Sequence, residues 1–106
     1  MNTKLLAAFL LALSAVPSHA GEYTDQKVRI VNVKANADGN CFGRMKGGGS
    51  WDSPDQGFTW SCNNTWGRNL LSLANLAYLT NSPVNITLIG NGADYKPLRA
   101  IELVAP

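Results

Sequence analysis

The chain has 106 residues with nine Lys or Arg, seven Asp or Glu, one His and two Cys. Its formal net charge of +2 comes from basic residues scattered along the sequence. Phosphate-backbone recognition needs a basic stripe, so nucleic acid is not an expected partner.

Residues 1–20 read as a secretory signal peptide. Lys4 gives a charged start, Leu5 to Val16 is apolar apart from Ser14, and Pro17 breaks the run. Small residues at Ser18 and Ala20 place cleavage after Ala20. An apolar run of about 12 residues is short of the ~20 that a membrane span needs. The expected mature chain, Gly21 to Pro106, is secreted or periplasmic, and no later segment is long and apolar enough to span a membrane. Cleavage removes His19, the only histidine. It leaves eight Lys or Arg against seven Asp or Glu, a net charge of about +1, in a single small domain. Such a domain buries only about 60–65% of its unfolded surface, so a covalent staple matters. Cys41 and Cys62 are the only cysteines and, in an exported protein, are expected to form a disulfide.

Lys27 to Lys34 is rich in β-branched residues and predicts a strand. Val28 and Ile30 share one face and Val31 and Val33 the other, a change of phase that suggests a bulge or a strand covered on both sides. Asp38-Gly39 is a hairpin-turn signal, and Cys41 to Met45 returns as a second strand. Lys46 to Gly57 is a loop by composition, with three consecutive glycines and Pro54. Phe58 to Asn63 alternates as a third strand. Pairing the second and third strands across that loop brings Cys41 and Cys62 together.

Gly67 to Thr80 predicts a helix with Leu70, Leu73, Ala74, Ala77 and Tyr78 in one stripe and Leu71 and Leu76 at its margins. Asn64 or Thr65 can cap its start, and Asn81-Ser82-Pro83 ends it. The apolar arc exceeds the ~100° that an ordinary surface helix buries. Two explanations stand: deep burial, or a second packing partner such as another copy of the chain. Val84 to Ile89 and Leu98 to Val104 complete the set as fourth and fifth strands, joined by a turn at Gly90-Asn91-Gly92.

The order β-β-β-α-β-β in a mainly β chain with one helix matches a five-stranded OB-fold-like barrel. A helix on a plain antiparallel sheet is the alternative. Without histidine neither a Ser-His-Asp nor a Cys-His arrangement can be built, and paired cysteines supply neither a nucleophile nor a zinc site. There is no phosphate-binding G-x-x-x-x-G-K loop. Asp52 and Asp55 lie three apart on a loop, which holds a glycosidase pair poorly and does not match a calcium loop. The chain is therefore expected to be no enzyme, with no cofactor and no metal.

What remains is aromatic and amide surface. Trp51 lies beside Asp52 and Gln56, Trp66 follows Asn63 and Asn64, and Tyr95 follows the last turn. Rings beside planar hydrogen-bonding groups suit a sugar, so Trp51, Asp52, Gln56, Trp66 and Tyr95 are the candidate ligand-binding residues. For Trp66 and Tyr95 the competing reading is packing over a barrel end.

Phe58 to Val104 resembles the small exported bacterial OB-fold proteins that include B subunits of subtilase-cytotoxin-type AB5 toxins. The resemblance lies in the cysteine strand FTWSCN, Trp66 before the helix, the helix LLSLANLAYLTNSPV, the strand VNITLI, Tyr95 after a turn, and the closing strand LRAIELV. It implies a non-catalytic, ring-forming subunit that binds glycans. This chain is shorter than those subunits and has one cysteine pair, and no sugar-contacting residue transfers one to one. The expected partners are a glycan or protein ligand, and further copies of the chain through helix 67–80. The alternative function is a periplasmic interaction or inhibitor protein that uses the Gly47 to Gly57 loop as a finger.

Overall fold

A computed structural model describes residues 21–47 and 55–106. Residues 1–20, expected to be a signal peptide, lie outside the described residues, as do Trp51 and Asp52. Five strands and one helix run in the order β1 (Glu22–Ala35), β2 (Asn40–Gly47), β3 (Gln56–Ser61), α1 (Thr65–Thr80), β4 (Pro83–Ile89) and β5 (Tyr95–Leu103). The expected order β-β-β-α-β-β is present, but β2 and β3 extend into the expected loop at Lys46, Gly47, Gln56 and Gly57, β3 stops at Ser61 before Cys62 and Asn63, and β5 starts at Tyr95 rather than Leu98.

β1 starts five residues before the predicted strand. Glu22 to Asp25 carry little strand signal of their own and are held by antiparallel pairing with β4, where Tyr23 faces Leu88 and Asp25 faces Ile86. Two irregularities shape β1. Between Asp25 and Val28 the register with β4 shifts. There Lys27 has a φ of 54° and donates its N–H to Asn85 Oδ1 at 3.0 Å. Between Ile30 and Asn32 the register with β2 shifts. This is the bulge that the change of apolar phase suggested. Val28 and Ile30 are buried, the extra residue Val31 is exposed, and Val33 turns back against the core.

β2 pairs antiparallel with β1 and with β3, and Cys41 faces Trp60. Cys41 and Cys62 form the expected disulfide, with Cα atoms 5.8 Å apart. β3 pairs parallel with the start of β5 over Gly57 to Thr59, and β5 pairs antiparallel with β4. Since β4 also pairs with β1, the pairings form a closed circuit β1-β2-β3-β5-β4.

Inside lie Val28, Ile30, Met45, Phe58, Trp60, Val84, Ile86, Leu88, Leu98 and Ile101. Simple alternation would put Leu98 and Ile101 on opposite faces of β5. A register shift opposite Thr87 and Leu88 makes Arg99 the extra residue and turns both inward.

α1 closes over this core with Leu70, Ala74 and Ala77. Its start is capped by Asn64, whose side chain accepts from the Gly67 N–H at 2.7 Å. Asn81 ends it in the left-handed conformation, with φ of 51°. Trp60 Nε1 donates to the Gly67 carbonyl at 2.9 Å, joining sheet to helix. Burial accounts for only part of the wide apolar arc: Leu76 is 48% exposed and Leu79 78% exposed. Tyr78, expected in the buried stripe, is 46% exposed at the helix end. No described helix is long and apolar enough to cross a membrane.

Candidate functional site

Strand alternation decides which side chains leave the core. In β2, Cys41, Gly43 and Met45 are buried, so Phe42, Arg44 and Lys46 face outward. The β2–β3 and β3–β5 registers align Arg44 with Gly57 and Tyr95, and Phe42 with Thr59 and Pro97. Two rows of side chains therefore cross three strands on one outer face.

The Tyr95 ring is the centre of that face. It meets Phe42 edge to face at 5.6 Å between centroids, and the Arg44 guanidinium carbon lies 5.3 Å from its own centroid. Both contacts belong to recognised attractive geometries. The ring reaches over Gly57: a Cβ there would lie 2.8 Å from Tyr95 Cδ1 and 3.0 Å from Arg44 Nη1. Glycine is needed at position 57 for this close approach.

Arg44 is held by a fork. Its Nη1 and Nη2 donate to the two oxygens of Asp94 at 3.0 and 3.3 Å, and Nη2 also donates to the Asp55 carbonyl at 3.3 Å. The Asp55 carboxylate approaches Arg44 Nε at 3.9 Å and Lys46 Nζ at 3.6 Å. The Gln56 amide donates to the carbonyls of Gly57 and Asp94. One guanidinium thus ties β2 to the lead-in of β3 and the turn before β5. The Arg44 hydrogen bonds hold the Asp94 carboxyl below its ordinary value, and Asp94 raises Arg44 above its own. Both groups stay charged throughout the neutral range.

Of the five candidate residues, Tyr95 lies on this face, 40% exposed rather than packed over a barrel end, whereas Gln56 stands opposite Met45 on the other side of β3 and reaches the face only through its hydrogen bond to the Asp94 carbonyl. Trp66 lies elsewhere. It sits in the first turn of α1, beyond the Ser61 end of β3, whereas Gln56 begins that strand. Six strand residues span about 17 Å, so Trp66 does not join the Tyr95 face. It is 51% exposed and outside the core. Trp51 and Asp52 lie outside the described residues. Phe42, Arg44 and Asp94 are additions. The alternation of β2 marks Phe42 and Arg44 as outward, but the Arg44–Asp94 contact spans 50 residues and has no local signal. Among the described residues, no three His, Cys, Asp or Glu side chains are grouped to hold a metal ion.

Gly57→Ala is expected to displace the Tyr95 ring and the Arg44 fork while the core stays intact. Near-ultraviolet circular dichroism should lose a tyrosine signal with the far-ultraviolet spectrum unchanged. No family model matches the chain, and no curated protein matches it.

Proposed function

We propose that this chain is an exported, non-enzymatic binding domain of the OB-fold type, and that it holds carbohydrate on the outer face of β2, β3 and the start of β5. The OB architecture uses this face for oligosaccharides and oligonucleotides, and the parallel β3–β5 pairing with a helix between β3 and β4 supports it. The observation that carries the ligand reading is the Tyr95 ring: exposed, braced by Phe42 and Arg44, with the Asp94 carboxylate held beside it on Arg44. A braced ring offers a stacking surface at little entropic cost, and the planar groups around it suit vicinal hydroxyls. The disulfide and the signal-like leader support an exported setting, secreted or periplasmic. The absence of histidine after cleavage and the use of both cysteines in the disulfide support a non-catalytic role. In this reading the chain is similar to the B subunit of a subtilase-cytotoxin-type AB5 toxin, and the exposed Leu76 and Leu79 of α1 contact another copy.

A glycan array probed with the cleaved chain, Gly21 to Pro106, tests the ligand class. Binding to a discrete set of sugars is expected. Failure to bind any sugar at high protein concentration removes carbohydrate from the proposal.

A further inference from the structure

The turn between β4 and β5 carries a reactive pair that the ligand reading does not use. Asn91 precedes Gly92, and Asn91 to Tyr95 are all exposed. The side-chain amide of an asparagine is open to attack by the backbone nitrogen of the next residue, because the two close a five-membered ring. The attack needs a free N–H, no side chain in its way, and an amide folded onto the peptide.

The Asn91–Gly92 pair has all three. Gly92 has no Cβ, and the place that one would fill has no atom within 4 Å. Its φ of 77° is one that glycine adopts freely. Among the described residues its N–H has no acceptor. Asn91 Oδ1 accepts the Ala93 N–H at 2.9 Å, which folds the amide back over the Gly92 peptide and polarises Cγ. The leaving Nδ2 is held by a long bond of 3.4 Å to the Tyr95 carbonyl. Comparable pairs elsewhere are blocked. Gly39, after Asp38, donates to the Asn36 carbonyl at 3.1 Å, and Ser82, after Asn81, donates to the Ala77 carbonyl at 3.0 Å. Asn64 is followed by the β-branched Thr65 and commits its Oδ1 to the Gly67 N–H.

We infer that Asn91 is a site of spontaneous deamidation and that its isoaspartyl product disengages the Tyr95 face. The Gly92 nitrogen loses its proton and bonds to Asn91 Cγ. The Cγ–Nδ2 bond breaks, and the amide takes up a proton and leaves as ammonia. Water then opens the cyclic imide at either carbonyl. Opening at Cγ gives aspartate; opening at the main-chain carbonyl gives isoaspartate, with the chain rerouted through the side chain. Rerouting adds a carbon to the turn that sets both Tyr95 and Asp94, the carboxylate that holds Arg44. The lengthened turn takes Asp94 out of register with Arg44 and leaves the ring unbraced on that side. The chemistry is independent of the ligand reading; only an effect on sugar binding would rest on it.

Peptide mapping and an isoaspartyl methyltransferase assay on the cleaved chain, held in mildly alkaline buffer, test this. Isoaspartate should appear first in the peptide that carries residue 91. The near-ultraviolet tyrosine signal should fall in step with conversion while the far-ultraviolet spectrum is unchanged. Asn91→Gln, whose longer side chain closes the ring poorly, should keep both its amide and the signal. Asn91→Asp, freshly prepared on an ordinary backbone, should keep the signal too, since the loss belongs to the rerouted chain. An Asn91 amide that outlasts those of Asn64 and Asn81 overturns the site. Conversion at residue 91 with the tyrosine signal intact, or loss of the signal in fresh Asn91→Asp, overturns its coupling to the face through isoaspartate. A glycan array without a hit contradicts neither.

Discussion

Gly67→Ala is expected to destabilise the protein by roughly 3 kcal/mol, within the range seen for overpacked interiors. A Cβ at this position would lie 2.0 Å from the Ser61 carbonyl oxygen and 2.7 Å from Cys62 Cα. Both are backbone atoms, and neither can step aside: Ser61 ends β3, paired with Asn40, and Cys62 is tied to Cys41. The helix would have to move instead. Its Gly67 carbonyl accepts the Trp60 indole N–H, and Trp60 is only 5% exposed, so that movement leaves a buried donor unpaired. An unmade buried hydrogen bond costs about 1–3 kcal/mol. In an open helix the same substitution would stabilise by about 1 kcal/mol, so the sign of the effect is itself diagnostic. Denaturant unfolding should show a lower midpoint at an unchanged slope. A midpoint equal to or above the wild type would mean that α1 does not dock this closely on β3.

Removing the disulfide is the second large effect. The bond closes a separation of 21 residues and should contribute about 3 kcal/mol by the chain-entropy estimate. Native domains hold only about 5–15 kcal/mol in total, with small ones at the low end. Cys41 is fully buried, so the double change Cys41→Ala and Cys62→Ala is preferable to serine, which would bury a hydroxyl. The double-alanine chain and the reduced wild type should both melt at least about 10 °C lower, as 3 kcal/mol implies for a domain of this size. An unchanged melting temperature would show that the β2–β3 ladder alone holds the Cys41–Cys62 corner.

The features legible in the sequence were those with local physical causes. The phase change from Ile30 to Val33 suggested a bulge or a strand covered on both sides, and the bulge is present; Asn64 or Thr65 could cap the helix, and Asn64 does; the two cysteines flanking one loop announced their pairing. Glu22 to Asp25 were not legible because their strand conformation comes from β4, more than 60 residues away in sequence. The inward turn of both Leu98 and Ile101 was hidden because the bulge at Arg99 breaks alternation without a glycine or proline to mark it. At the candidate site, Tyr95 could be chosen from residue type and neighbours, while Gln56, chosen by the same rule, falls on the other side of β3. Arg44 and Asp94 could not, since only the β2–β3–β5 register makes them a pair. Trp66 satisfied the same compositional rule as Tyr95, yet the topology puts it at the other end of β3.

That contrast between two exposed aromatics gives the most direct test of the proposed carbohydrate site. Titration calorimetry with the best sugar from the array should be run on the wild type, Tyr95→Ala and Trp66→Ala, each checked for an unchanged melting temperature. The Tyr95 face predicts at least about a tenfold loss of affinity for Tyr95→Ala, about 1.4 kcal/mol, and wild-type affinity for Trp66→Ala. Full affinity in Tyr95→Ala, with loss in Trp66→Ala, would contradict the account and move the site to the start of α1.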